Sequence, residues 1–409
     1  MHHPLEVQFD KRAAFIHNNI REAIHTAVAE IFFENRYSNH VLERLLKSNK
    51  KWGGRDRRLI AETVFDITRY WRLLLEVFDE YGYPDKASIE HITSFYFFLK
   101  GVESERERGY KKEMQRFHTL LQNRVSRESI PDFFDKYAEK QLGTRWEKEL
   151  VAMNQPADVY LRVNTLLAAK KELIIKLEKE EITAEPVDEL PDALKLTSRK
   201  NLFLSEAFRA GLFEIQEASS QMVAPFMELS SGMRVVDACA GGGGKSLHIA
   251  SIMKNTGRII SMDTEKWKLE ELSKRAKRNK ISNIETRVIE SMKTIKRLAG
   301  SADRVLLDAP CSGSGVIRRN PDTKWKLNAE MMQRLKDTQK TILLKYSQMV
   351  KPGGLIVYST CSFFPEENNL QVEYFLKENP LYTLVEEMNI YPSDSGFDGF
   401  YMAKIARKL

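Results

Sequence analysis

The chain holds three cysteines, Cys239, Cys311 and Cys361, and these are its most reactive side chains. Their odd number, their wide separation and the lack of a second thiol at metal-ligand spacing make disulfides and zinc poor explanations, and no metal site is expected. Cys311 stands in LLDAPCSGSGVIRRNPDTKW and Cys361 in YSTCSFFPEENN, each in a turn rich in Gly, Ser and Pro that follows a strand-like run. A lone cysteine is ordinarily a small inert core residue. Two thiols converging on one rim are different, because a thiolate can add to an electron-poor carbon and later leave it. For Cys239, which lies inside a glycine turn, packing or a backbone role is the expectation.

The strand-like MRVVDA runs directly into DACAGGGGKS. Its four consecutive glycines permit positive φ and let the backbone approach a ligand that side chains would block. This is not the phosphate loop G-x-x-x-x-G-K-[ST], because Cys239 occupies the position of its first glycine, and nucleoside triphosphate hydrolysis is disfavoured. The second strand ends in Asp263, where a carboxylate can accept from both hydroxyls of a ribose, which suits an adenosine cofactor. The third ends at Glu290 and the fourth at Asp308, so acids recur on the rim where open α/β sheets bind ligands. Any one of them could be a helix or turn cap; as a set they are more specific.

These turns need a scaffold, and the sequence supplies one. From Gly232 onward strands and helices alternate, through MRVVDA, RIISMD, ETRVIE, RVLLDAP and GLIVYSTC, as in a mostly parallel, doubly wound sheet with helices on both faces. From about Asp10 to Leu142 apolar residues recur at helical spacing, as in AAFIHNNIREAIHTAVAEIFF and DRRLIAETVFDITRYWRLLLEVF. Near Pro131 the texture changes, and YLRVNT, the helix-like AKKELIIKLEKE and short strands near Leu194 to Leu196 and Leu212 to Ile215 indicate a small α/β unit. The expected fold class is therefore α/β: a Rossmann-like sheet over residues 226–409, preceded by an all-α domain over 1–130 and a small α/β domain over 131–225.

A length of 409 residues agrees with two or three domains. With 42% hydrophobic and 30% charged residues the composition is that of a folded, aqueous protein. There is neither a long uncharged apolar run nor a basic-then-apolar start, so no membrane association is expected and cytoplasm is the default compartment. Lys and Arg number 64 against 57 acidic residues, a formal charge of +7 that permits a polyanionic partner without proving one. The basic run KSNKKWGGRDRR could touch phosphate or simply be a solvated loop.

Taken in order, RVNT from Arg162, QEASSQM from Gln216, DACAGGGGKS, DAPCSGSGVIRRNPDTKW, STCSFFPEEN and DGFYMAKI resemble the Sun/RsmB family of RNA cytosine-5 methyltransferases, specifically its bacterial small-subunit ribosomal RNA members. The resemblance covers nearly the whole chain. It implies S-adenosylmethionine as cofactor and RNA as partner, ribosomal RNA first and transfer RNA second, with no obligate protein partner inferred. It further implies that Cys361 forms a covalent adduct with the base and that Cys311 assists its breakdown. Asp308 would contact the cytosine edge or the cofactor, and Lys245 would line the site. Cys239, Ala240, Gly241, Gly242, Gly243, Gly244, Lys245, Asp263 and Glu290 would hold the cofactor.

The amino-terminal helices look like the NusB-like RNA-binding domain of these members, in a short and divergent form, and Pro131 to Glu217 like their small RNA-binding unit. Arg162 and Asn164 of RVNT, with Arg318, Arg319 and Lys324, are the expected RNA contacts. The sequence departs from the family pattern in two places: CAGGGGKS replaces the usual Ala-Pro before the last Gly-Gly-Lys-Thr, and Glu290 stands where Asp is usual. Two other readings compete: a non-catalytic RNA-binding ribosome-assembly factor, which retention of both thiols argues against, and a small-molecule or DNA methyltransferase, which two preceding domains rich in basic helices make less economical.

Overall fold

The computed structural model describes residues 3–9, 15–106, 109–197 and 200–409. The start of the expected amino-terminal helical run, residues 10–14, lies outside the described residues. The chain divides into two compact units, Met1–Gln155 with Ile317–Asn328, and Pro156–Val316 with Ala329–Leu409.

The first unit is helical. In the helix Asn18–Phe33, Ile20, Ile24, Ala27, Val28 and Ile31 are buried, the i, i+3, i+4, i+7 stripe that gives a helix one apolar face. Phe95, Tyr96 and Phe97 of the helix Lys86–Leu99 are fully buried beside it in one core. Asp85 starts that helix by accepting from the Ser88 amide at 2.9 Å. The unit runs past the boundary expected at residue 130. Pro131, read as a change of texture, is the N-cap of the helix Asp132–Leu142. That helix and the next, Trp146–Met153, are held by Trp146 Nε1 donating to Asp135 at 2.7 Å and by Asn154 Nδ2 donating to the Glu128 carbonyl at 2.8 Å.

A second correction concerns IRRNPDTKWKLN, expected within the sheet domain but belonging to the helical unit. Ser38 donates its amide to Asp322 at 3.2 Å, Trp325 Nε1 donates to the Thr68 carbonyl at 2.7 Å, and Arg69 donates to the Arg318 carbonyl at 2.9 Å. Lys324 is 1% exposed and Arg318 6%, so neither side chain lies open to a phosphate as expected, and Arg319 is half-buried. The Lys324 ammonium donates to the Arg69 carbonyl at 2.8 Å, and burial holds its pKa well below the usual lysine value.

The second unit carries both sheets. In the smaller, β1 (Tyr160–Val163), β2 (Ala184–Val187), β3 (Leu190–Leu196) and β4 (Phe213–Ile215) run antiparallel in the order β2-β3-β1-β4. Leu173 and Leu177 of the helix Lys170–Lys179 pack into the same core. The larger sheet comprises β5 (Arg234–Asp237), β6 (Arg258–Asp263), β7 (Ile284–Val288), β8 (Ala302–Asp308), β9 (Val350–Thr360), β10 (Tyr382–Ile390) and β11 (Phe400–Arg407), in the order β10-β11-β9-β8-β5-β6-β7. Strands β5 to β9 are parallel, while β11 and β10 close one edge antiparallel.

The fold is α/β, a mostly parallel, doubly wound sheet, as the alternation predicts. Its central strands are apolar on both faces: Val236, Ile260, Val305 and Ile356 join one core while Val235, Ile259, Leu306 and Val357 join another. Strands covered by helices on both sides require this double burial. The order reverses between β5 and β8, the crevice where such sheets bind ligands. Among the described residues no helix is long and apolar enough to cross a membrane.

Lys324→Ala is expected to destabilise the protein by roughly 2–4 kcal/mol, through a cavity and the Arg69 carbonyl left without its donor. Thermal melts check this. RNA binding measured across a salt series should keep the same slope of log affinity against log salt; a slope smaller by about one would instead show that Lys324 neutralises a phosphate.

Candidate active site

The cofactor-like turn is fastened to both neighbours of β5. The Ala238 amide donates to the Leu306 carbonyl of β8 at 3.0 Å, and the Ala240 amide to the Met262 carbonyl of β6 at 2.8 Å. Gly243 caps the helix Gly244–Ile252 with φ of 87°. A Cβ there would lie 2.4 Å from Leu272 Cγ, so glycine is required on two grounds. The Gly241 amide, at a residue with φ of 51°, donates to Asp263 Oδ2 at 3.0 Å, and the Glu265 amide donates to Oδ1 at 2.9 Å. The Asp263 carboxylate is thereby fixed at the end of β6.

A cavity of about 280 Å³ opens on this turn. Of the residues expected around a cofactor, Cys239, Ala240, Gly241, Gly242, Gly244, Lys245 and Asp308 line it. Gly243 and Asp263 act behind the lining, as cap and anchor. Glu290 is exposed, two residues beyond the end of β7, and the structure does not bring it to the cavity. The longer reading of that strand overran because ETRVIE keeps its β-like texture past Val288. Burial pushes the Cys239 thiol well above its ordinary pKa, in keeping with a packing role.

Asp237, at the carboxyl end of β5, also lines the cavity and is 1% exposed. Ser246 donates to its Oδ2 at 2.6 Å, while Oδ1 is buried with no hydrogen-bond partner among the described residues. Burial pushes this carboxyl up to about 7.

Beside the turn, Lys245 Nζ donates to Asp308 Oδ2 at 2.6 Å and Ser359 Oγ to Asp308 Oδ1 at 2.9 Å. Burial by itself would lower the Lys245 pKa. The Asp308 carboxylate outweighs it, and the charge of Cys361 adds to the rise. The turns after β8 and β9 then bring Cys311 Sγ to 3.3 Å from Cys361 Sγ. Hydrogen bonding to Cys361, followed by burial, raises the Cys311 thiol well above its usual range. The Gly315 amide donates to the Cys361 carbonyl at 3.0 Å, and the Gly399 amide to the Gly315 carbonyl at 2.8 Å. A Cβ on Gly315 would come within 2.0 Å of the Gly399 oxygen, so only glycine permits this closure. The site is thus a pair of sulfurs in hydrogen-bond contact next to an ion pair and a ligand-sized cavity, suited to covalent nucleophilic chemistry.

Arg162 and Asn164 are corrections. They are 2% and 4% exposed and face the interior rather than a polyanion. Arg162 donates to the Gly244 carbonyl at 2.6 Å and to Gln216, and burial lowers its pKa to about 10. Asn164 donates to the Gly211 and Asn279 carbonyls at 2.9 and 3.1 Å. Sequence reasoning missed the partners of this layer. Arg275 donates to the Gly242 carbonyl at 2.7 Å and to the buried Glu214 at 2.9 Å, and Gln216, Ser220 and Arg275 line the cavity. Gln216 and Ser220 fall in QEASSQM, so that segment was a usable signal; Arg275 sits in a charged helix with none.

Residues 224–406 match the family model described as 16S rRNA methyltransferase RsmB/F, and residues 130–202 match one described as a Methyltr_RsmF/B-like, ferredoxin-like domain. The chain is 28% identical to the probable ribosomal RNA small subunit methyltransferase B of Bacillus subtilis, over 95% of this chain and 99% of that protein. It is 31% identical to the ribosomal RNA small subunit methyltransferase B of Proteus mirabilis, over 76% and 73% of the two chains. A solved structure of a methyltransferase homolog from Pyrococcus horikoshii superposes with a TM-score of 0.63 at 27% identity, covering 71% of this chain and 99% of that one.

The Asp237 carboxyl, at about 7 when folded and about 3.9 in an unfolded chain, holds its proton more tightly in the native state. Its contribution to stability is therefore full below about pH 4 and lost as pH rises through about 7. Asp237→Asn removes that loss. The melting temperature of the variant minus that of the wild type should accordingly grow between pH 6 and pH 8; a constant difference would show that Asp237 does not titrate there.

Proposed function

The chain belongs to the RsmB/F family of 16S rRNA methyltransferases, and from that premise we propose that it methylates carbon 5 of a cytosine in small-subunit ribosomal RNA, with Cys361 as the covalent nucleophile. The observation that carries this reading is the 3.3 Å approach of Cys311 and Cys361 at the sheet rim, next to the Lys245–Asp308 pair.

The residues present fit S-adenosylmethionine. Asp237 offers a buried carboxylate oxygen without a partner to an ammonium group, and Asp263 presents a fixed carboxylate to ribose hydroxyls. The glycine turn would follow the cofactor's amino-acid end, and Cys239, Ala240, Gly242 and Lys245 would line it. When bound, the cofactor supplies an electrophilic methyl group.

What the chain must do is make carbon 5 nucleophilic, since the cytosine ring is too electron-poor to attack unaided. Cys361, as thiolate, adds to carbon 6 and sends electron density toward carbon 5. The Lys245 ammonium interacts electrostatically with the Cys361 sulfur. Asp308, oriented by Lys245 and Ser359, would accept a hydrogen bond from the exocyclic amine on the base edge and hold the ring in register. Transfer of the carbon 5 proton to a solvent water later re-forms the ring double bond and expels Cys361 as a thiolate. The neighbouring Cys311 thiol, which keeps its proton, can donate to the departing sulfur. A stacked base hides the face a thiol must approach, so the target cytosine is one splayed out of an unpaired stretch.

Cys361→Ala is expected to abolish transfer while leaving cofactor affinity within roughly two-fold, as loss of a group that acts only in the chemical step should. Full activity of the purified variant would overturn the assignment. Cys311→Ala should accumulate a protein-RNA adduct that survives a denaturing gel, and the absence of any shifted band would count against the division of labour. Bisulfite sequencing of ribosomal and transfer RNA from cells lacking the protein identifies the substrate; loss of a 5-methylcytosine from transfer RNA alone would sink the ribosomal assignment.

A further inference from the structure

Glu367 lies outside both cysteine turns and is fully buried. A buried carboxylate is costly unless its oxygens are well supplied with donors, and this one receives four. Ser312 donates its amide to Oε1 at 2.8 Å and its hydroxyl to Oε2 at 2.5 Å. Ser362 donates its hydroxyl to Oε2 at 2.6 Å, and Gln339 donates Nε2 to Oε1 at 3.0 Å. Ser312 directly follows Cys311 and Ser362 directly follows Cys361. Gln339 Nε2 also donates to the carbonyl of Pro310, the residue before Cys311, at 3.0 Å. One carboxylate thus joins both cysteine turns directly, and through Gln339 it also reaches the residue before Cys311.

The rest of the neighbourhood is arranged to hold the clamp still. The Tyr358 hydroxyl donates to the Glu367 carbonyl at 2.6 Å. Asn368 donates to the Ser362 carbonyl at 2.9 Å and accepts from Thr360 Oγ1 at 2.5 Å. Ser314 and Ser362 hydroxyls stand 2.9 Å apart, adding a second tie between the turns.

We infer that Glu367 is a positioning residue for the two-thiol site, setting the distance between the Cys311 and Cys361 sulfurs through its four accepted hydrogen bonds. It touches neither substrate nor reacting atoms; it acts through the turns it joins. Its negative charge has a second effect, adding to Cys361 and burial in keeping the Cys311 thiol protonated. The inference rests on the reading of Cys361 as nucleophile and Cys311 as its partner for its catalytic consequence, but the clamp itself is independent of that reading.

Glu367→Gln keeps the shape and replaces one acceptor with an amide that faces donors. In the full-length variant the turnover number for RNA methylation should fall by roughly 100-fold, the cost of displacing reacting groups by about 1 Å, with the KM for RNA within a few-fold of wild type. A general structural defect would move both. Sulfur spacing is read separately by treating the protein with diamide, which takes two protons and two electrons from the thiol pair to leave a Cys311–Cys361 disulfide, quantified by peptide mass. Wild type should form this bond rapidly and Glu367→Gln at least about ten-fold more slowly.

If Glu367→Gln does not fold, Ser362→Ala and Gln339→Leu carry the same test, each removing one donor and giving an intermediate slowing of both readouts. Disulfide formation at the wild-type rate in the folded variants would overturn the clamp, whatever the methylation result. Slowed disulfide formation together with an active Cys361→Ala enzyme would instead retain the clamp and discard the nucleophile assignment.

Discussion

The constraint on which the rest of the site depends is the contact between two sulfur atoms on different turns. Turns after parallel strands normally diverge, since each strand hands its chain to a separate helix. Here the register of β8 and β9 places Asp308 beside Ser359, so both chains leave the sheet at the same level. Closing the remaining gap takes the bare backbone of Gly315 against Gly399 and the shared Glu367 carboxylate. Backbone register, an absent side chain and a buried charge each supply part of one distance.

A similar logic governs the cofactor side, where the interior is charged but not electrostatically exposed. Arg162 and Arg275 hold the carbonyls of Gly244 and Gly242, and Glu214 gathers Arg275, Arg278 and Asn279 beneath them. A glycine-rich turn has no side chains with which to fix its own shape, and left-handed residues leave it prone to alternatives. Rigid guanidinium forks aimed at its carbonyls supply what it lacks. The cost of burying those cations is offset by Glu214, whose carboxylate is held below its usual range by the neighbouring guanidinium and amide groups in spite of burial.

The parts of this arrangement that could be read from sequence were those that repeat a local rule. Strand and helix alternation follows from periodic burial, and the glycine turn and the cysteine turns announce themselves by composition. Residues whose role depends on tertiary partners could not be read in this way. Arg162, Asn164, Arg318 and Lys324 have the composition of polyanion contacts, yet each spends its polar atoms or its position on the interior. Glu367 sat in plain view in PEENN, but nothing in one dimension says that its four donors come from residues as distant as Ser312 and Gln339. Near residue 130 the change of texture has a local cause as well, since Pro131 is the N-cap of a helix.

The sulfur contact also decides how the two thiols can divide their work. Two negative charges 3.3 Å apart would repel by several kcal/mol even at an effective dielectric constant of about 20, so the two sulfurs are not both ionised at neutral pH. The surroundings of the two sulfurs differ. Glu367 stands on the Cys311 side and disfavours a thiolate there, whereas the Lys245 ammonium interacts with Cys361. In the proposed reaction the Cys361 sulfur enters a covalent bond, and the Cys311 thiol then loses this partner until the bond breaks. On that reading the two sulfurs meet again only as the product leaves, which is why removing Cys311 would stall the cycle on the adduct rather than before it.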